Sequence, residues 1–371
     1  MRQNQPPPST TANHQKYALL TVIILCVLPF LLNQLGISFA AYSATSSPEP
    51  SSIDHLVHVL LEWSAISIAV IAALASVLHY RCHKNINVPV IGMALASAGL
   101  LDAFHLLATT GIIIANTPEH QFIPFTWALT RIFAALAMTL AGAAMLWTAH
   151  QAKLQQTESH QSKIHHSRLL IRFSLIFLAL TSGAIHLTLG NGALPQTIYP
   201  QAFLTRPFDV LPFALFLFSG TLFWLWYQQL KSPLRLALLL SLIPQMVAQL
   251  HMVFGHENGL DNSSNIAHGL KILAYGCILI GILLELMKKT DQTTTANTLA
   301  PAHLTMLSEQ DNQDFLETGK ATQPLAIQLP VAAFILAISV TFIVSFTFYL
   351  ESAQLIKKQE VSQLRIEGEL V

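Results

Sequence analysis

Of the 371 residues, 53% are hydrophobic and only 10% charged, and mean hydropathy is +0.51. That much apolar surface exceeds what a soluble core of this length can hide, which excludes an ordinary globular protein and makes the bilayer the main solvent. Charge balances at 19 Lys and Arg against 19 Asp and Glu, so no nucleic-acid partner and no acidic disordered domain is indicated.

Crossing about 30 Å of hydrocarbon takes about 20 apolar residues at about 1.5 Å each. Such runs lie near 17–36, 54–80, 88–112, 124–149, 168–189, 207–229, 233–254, 265–287 and 328–350. Backbone groups in lipid need partners within their own segment, so each run must be helical, and the hydropathy is too continuous for barrel strands. The expected fold is an all-α, polytopic transmembrane bundle of about nine spans. A cytoplasmic tail (1–16) precedes an eight-helix module (17–288), a polar linker (289–327), a ninth span (328–350) and the start of a further helical segment (351–371). Cys26, Cys82 and Cys277 lack CxxC spacing and read as packing residues.

A cytoplasmic N-terminus puts Arg2, Lys16, Arg81, Lys84, Lys153, Lys163, Arg168, Arg172, Lys231, Arg235, Lys288, Lys289 and Lys320 inside. The outer loops between the spans then keep only Arg206, a strong positive-inside bias. Small residues after the first run, Ala40, Ala41, Ser43 and Ala44, also suit a signal peptide, but its apolar stretch is longer than a usual h-region. By parity the C-terminal tail is extracytoplasmic. There Leu355, Val361, Leu364 and Leu370 alternate with charges at helical spacing, and the chain reads as a fragment of a longer protein.

With this topology the ionisable residues of the spans gather in the outer half: His55, His58, Glu62, Asp102, His105, Arg131, His186, Asp209, His251, His256, His268 and Lys271. A charge at the centre of a membrane helix costs about 2.5–3.5 kcal/mol on insertion scales, so such groups face a partner or a wet cavity. His55, His58 and Glu62 stand at i, i+3 and i+7, and Asp102/His105 and His268/Lys271 at i, i+3, so three helices present polar stripes. The expected pairings are Glu62 or Asp102 with Arg131 or Lys271, leaving imidazoles to hydrogen-bond, titrate or bind.

Each element has a plainer reading. Histidines near span ends, such as His55, His256 and His268, commonly sit at the membrane interface, and buried ion pairs can simply lock helices together. Imidazole with carboxylate suits zinc, copper or iron, but no HExxH or paired-cysteine signature is present. Haem ligation by His105 with His186 or His251 is an alternative that no motif supports, and the cofactor stays unassigned. The segments AFHLLATTG, AIHLTLGNG and QLHMVFGHENG around His105, His186 and His251 form a faint repeat of histidine before a glycine-containing turn.

HLVHVLLEWSAISIAV (His55 to Val70), GLLDAFHLLATTG (Gly99 to Gly111), WALTRIFAA through Arg131 and NIAHGLKILAYG (Asn265 to Gly276) resemble the membrane-associated sensor domains called MASE. The closest type carries an H-E-S, a D-x-x-H and an A-H-x-L-K pattern. Glu62, Asp102, His105, Arg131, His268 and Lys271 match it, while His58 and the alanine of EWSAIS depart from it. The resemblance covers residues 17–288 and implies a multi-pass input domain of the bacterial inner membrane, placed before a histidine kinase, diguanylate cyclase or phosphodiesterase. The ninth helix and tail resemble the start of a CHASE-like extracytoplasmic region.

No kinase H-box, GGDEF, nucleotide loop or nucleophile elbow occurs in the chain, so no catalytic residue is assigned. The expected function is signal input through the outer pocket of His55, His58, Glu62, Asp102, His105, Arg131, His186, His251, His268 and Lys271. The expected partners are the lipid bilayer, an unidentified small ligand, ion or proton from the extracytoplasmic side, and an output domain or partner kinase or cyclase, with a homodimer left open. The competing readings are a proton- or metal-coupled transporter, a haem-binding redox protein and a purely structural membrane domain.

Overall fold

The computed structural model describes residues 8–39, 52–83, 85–154, 162–190, 192–255 and 261–298. Among them the elements are helical throughout: α1 (Pro8–Gln34), α2 (Ser52–His83), α3 (Asn87–Thr109), α4 (Glu119–Leu154), α5 (Ser162–Gly190), a 3-10 turn (Pro207–Asp209), α6 (Val210–Gln229), α7 (Pro233–Val253) and α8 (Asn262–Thr298). Eight of the described helices are long and apolar enough to cross a membrane, each overlapping one of the first eight apolar runs. The ninth run and the tail lie outside the described residues, as does His256. Helix α8 continues through the opening of the expected linker, ending at Thr298 rather than near 287.

Local signals account for several helix ends. Ser232 caps α7 by accepting from Arg235 N at 3.3 Å, with Pro233 at the first helical position, where a missing N–H is harmless. Asp261 does the same for α8, accepting from Ser264 N at 2.7 Å. Helix α3 stops at Gly111, whose φ of +71° is open to glycine at little cost.

Helix α2 packs on α3, α3 on α4, α4 on α6, α6 on α7, α7 on α8, and α8 back on α2, closing a ring of six helices. Helix α5, although it falls between α4 and α6 in sequence, sits outside the ring against α3, and α1 sits outside against α7. Both outer helices turn apolar faces outward, as Leu175, Leu178 and Leu187 do on α5. A multi-pass membrane protein has lipid to cover such faces.

Where α2 meets α3 the contact is made by small residues. Ala65, Ala69, Ala72 and Ala75 of α2 are buried against Ala94, Ala98 and their neighbours on α3. A methyl group at Gly92 would collide with Ser76, and one at Gly99 would lie 2.9 Å from the Ala69 methyl. Close backbone approach of this kind is how membrane helices gain dispersion energy when lipid removes the hydrophobic drive between them.

Candidate functional site

The connections place the N-terminal ends of α2, α4, α6 and α8 and the C-terminal ends of α3, α5 and α7 at one end of the bundle. There the ring interior changes from alanine and leucine to charged groups. Glu62, nine residues beyond Ile53 and so about 14 Å along α2, is fully buried. Lys271 of α8, also fully buried, reaches both of its oxygens, Oε1 at 2.8 Å and Oε2 at 2.7 Å. The same ammonium lies 3.3 Å from Asp102 Oδ1 on α3, and Tyr275 OH, one turn beyond Lys271, donates to Asp102 Oδ2 at 3.0 Å. One lysine thus ties three helices together.

Arg131 of α4 goes elsewhere. It donates through Nη2 to Gln245 of α7 and lies 5.6 and 5.5 Å from the ring centres of Trp127 and Phe216. With the Gln249 amide nitrogen turned toward Asp209, Gln249 donates to Asp209 Oδ1 at 3.0 Å and accepts from Arg131 Nε at 2.8 Å. Trp127 Nε1 donates to the same Asp209 oxygen at 3.1 Å. This second network holds α4 to α7 and to the turn before α6, beside the lysine-centred one.

Three imidazoles lie above Glu62. His268 Nδ1 is 2.6 Å from the Ser264 carbonyl oxygen. A carbonyl only accepts, so that nitrogen carries the proton. Its Nε2 is 2.5 Å from Glu62 Oε1 but forms no aligned hydrogen bond. His105 Nδ1 is 2.8 Å from Thr126 Oγ1, whose own proton goes to the Ile123 carbonyl at 2.8 Å. His105 must therefore donate from Nδ1, which leaves Nε2 with a free lone pair. His58 is buried, and among the described residues neither of its ring nitrogens has a hydrogen-bond partner. Its ring stands 4.6 Å from that of His268 and 6.0 Å from that of His105, edge-on to both.

A cavity of about 620 Å³ opens over these rings. His58, His105, His268 and Trp127 line it, together with His55, His120 and the loop residue Arg206. Arg206 is buried, and burial pulls its guanidinium below the ordinary value while Asp209 and Asp261 act in the opposite direction. An arginine keeps its charge under such a shift, so the cavity wall carries a fixed positive group.

Of the residues expected to form the pocket, the structure brings His58, Glu62, Asp102, His105, His268 and Lys271 into one cluster and puts exposed His55 on the cavity wall. Arg131 is in the adjoining network. His186 is exposed on the outlying α5, and half-buried His251 faces Phe30 of α1, so both stand apart. Thr126, Trp127, Gln245, Gln249 and Tyr275 join the site without having been singled out. Helical spacing could have found two of them, since Trp127 precedes Arg131 by four residues and Tyr275 follows Lys271 by four.

An all-helical, multi-pass architecture with a buried ionic cluster beneath an open cavity defines a membrane-embedded domain with a binding or sensing site. Residues 53–289, well over half of the chain, match the family model of MASE3, a membrane-associated sensor domain, and the chain belongs to that family. The match begins at α2 and takes in the whole six-helix ring and α5, leaving α1 outside. Neither a curated protein nor a solved structure matches the chain.

Proposed function

We propose that this chain is the sensory input module of a bacterial signal-transduction protein, receiving its stimulus from the extracytoplasmic side through the cavity over Glu62, Asp102, His105, His268 and Lys271. The observation that carries this reading is the coupling of cavity and cluster. A ligand, ion or proton entering the cavity meets His58, His105 and His268, and His268 abuts the carboxylate that Lys271 uses to hold α2, α3 and α8 together. Any change in the charge at Glu62 alters the packing of three helices at once. Small helix displacements are the usual output of such a bistable contact.

Orientation rests on the basic residues. Arg81, Arg172, Lys231 and Arg235 all belong to the helix ends opposite the cavity, as an inner-membrane protein with a cytoplasmic N-terminus requires. Helix α8 runs on at that end to Thr298. The output is a histidine kinase or a cyclic-di-GMP enzyme.

Transport is the weaker reading. Below Glu62 and Lys271 the ring is filled mainly by Ala69, Leu95, Met138, Leu238 and Ile278, and buried hydroxyls among them, such as Ser219 and Ser241, are bonded to carbonyls of their own helices, a poor path for a proton or ion. The test is made in the native gene, with Glu62→Gln and Asp102→Asn. Cellular cyclic-di-GMP and kinase phosphorylation are measured alongside membrane insertion. Loss of regulated output with normal insertion is the expected result, and regulated output intact in both variants refutes the pocket.

A further inference from the structure

The contact between His268 and Glu62 has the wrong polarity for a neutral ring and an ionised carboxylate. His268 spends its Nδ1 proton on the Ser264 carbonyl, so a neutral ring turns a bare Nε2 lone pair toward a carboxylate oxygen 2.5 Å away. Two acceptors that close repel unless a proton or a metal cation lies between them. Two more lone-pair donors stand at the same spot: His105 Nε2, freed by the Thr126 bond, and His58, buried with no hydrogen-bond partner on either nitrogen among the described residues. A buried polar ring without a partner costs folding free energy, which calls for a ligand to recover it.

We infer that His58, His105, His268 and Glu62 form a binding site for one divalent first-row transition-metal ion of the zinc, copper or nickel kind. One ligand atom from each of the four lies within 4.8 Å of every other, and all four residues are buried. Ligand atoms about 2.0–2.1 Å from a tetrahedral ion stand about 3.3 Å apart, so side-chain rotations of about an ångström close the set. Three imidazoles and one carboxylate suit these ions and not calcium or magnesium, which require oxygen ligands. The outer contacts fit as well. His105 and His268 each donate their second N–H to a fixed oxygen, the arrangement that locks metal-binding imidazoles in orientation and tautomer.

Lys271 and the cavity-wall Arg206 oppose a cation, but Glu62 and Asp102 flank the lysine and Asp209 and Asp261 act on the arginine, so carboxylates outnumber these two cations. The three histidines line the cavity, so the ion has an entry path. Once bound, it competes with Lys271 for Glu62 and leaves the ammonium to Asp102 on α3. This assignment rests on the sensory reading of the cavity and names its ligand.

The test uses the full chain, purified without a histidine tag and stripped with chelator, titrated with Zn²⁺, Cu²⁺ and Ni²⁺ and, as controls, Ca²⁺ and Mg²⁺. About one tight equivalent of a transition ion per chain is expected, with none of the controls. Co²⁺ loaded in the same way should give the visible absorption of a low-coordinate nitrogen-ligated ion. His58→Leu removes no hydrogen bond seen among the described residues, its folding is checked by unfolding in detergent, and it should weaken binding by more than the roughly 10- to 100-fold that loss of an outer contact brings. Thr126→Val should fall within that range. No stoichiometric transition-ion binding, or binding unchanged by His58→Leu, overturns the metal site. If the ion is not bound but Glu62→Gln still abolishes regulated output, the sensory reading stands and only the metal falls. If the ion binds with the expected losses while output ignores Glu62, the site stands and the sensory reading falls.

Discussion

The two ends of the six-helix ring hold the same helices together by different physics. Toward the cavity, α2, α3 and α8 meet through Glu62, Asp102, Lys271 and Tyr275, four buried polar groups with directional contacts of 2.7–3.3 Å. Toward the other end, α2 and α3 meet through alanines, with Gly92 and Gly99 admitting Ser76 and Ala69 of α2. Small-residue packing is rigid and tolerates no added atom, but it responds to nothing in solution. The ionic contact can be rearranged by a single charge, so a domain that both persists and responds needs both kinds.

Lys271→Met should be the most damaging change, because it strands two buried carboxylates. Breaking a buried pair from one side costs about 3–5 kcal/mol, read as a large drop in thermal unfolding temperature in detergent. Adding Glu62→Leu to that variant should recover part of the loss. A double variant as unstable as the sum of the singles would mean that the two side chains do not act as a pair. Gly92→Val tests the other end. Overpacking there should cost about 1–3 kcal/mol without altering any property of the cavity, and a Gly92→Val protein of unchanged stability would discredit the close α2–α3 approach. Thr126→Val should be mildest, about 0.6–1.5 kcal/mol for one hydrogen bond between helices, detectable by unfolding and accompanied by altered His105 tautomer signals in ¹⁵N NMR. An unchanged His105 spectrum would contradict the Nδ1 assignment.

Much of the polar end was legible in one dimension. His55, His58 and Glu62 fall on one face of α2 whatever α2 touches, and the apolar runs located eight helices within a few residues. Periodicity assigns a face to each helix but does not choose its neighbours. Lys271 and Arg131 were equivalent candidates for the two carboxylates until the ring put α8 against α2 and the Arg131 side chain reached Gln245 and Gln249 of α7 instead. His105, His186 and His251 sit in similar local sequences, yet His105 enters the cluster, His186 is exposed on α5 and His251 meets α1.

What the amino-acid sequence determined by itself is the class of molecule and the polar face of each helix, because hydrocarbon thickness and the 3.6-residue repeat act on local stretches of chain. Only the tertiary structure decided which faces converge. It excluded α5 from the ring although α5 lies between two of its members in sequence, and it aimed three imidazoles and a carboxylate at one point. Helix neighbours in a membrane are selected by close fit between small residues distant in sequence, and that fit exists only once the helices have met.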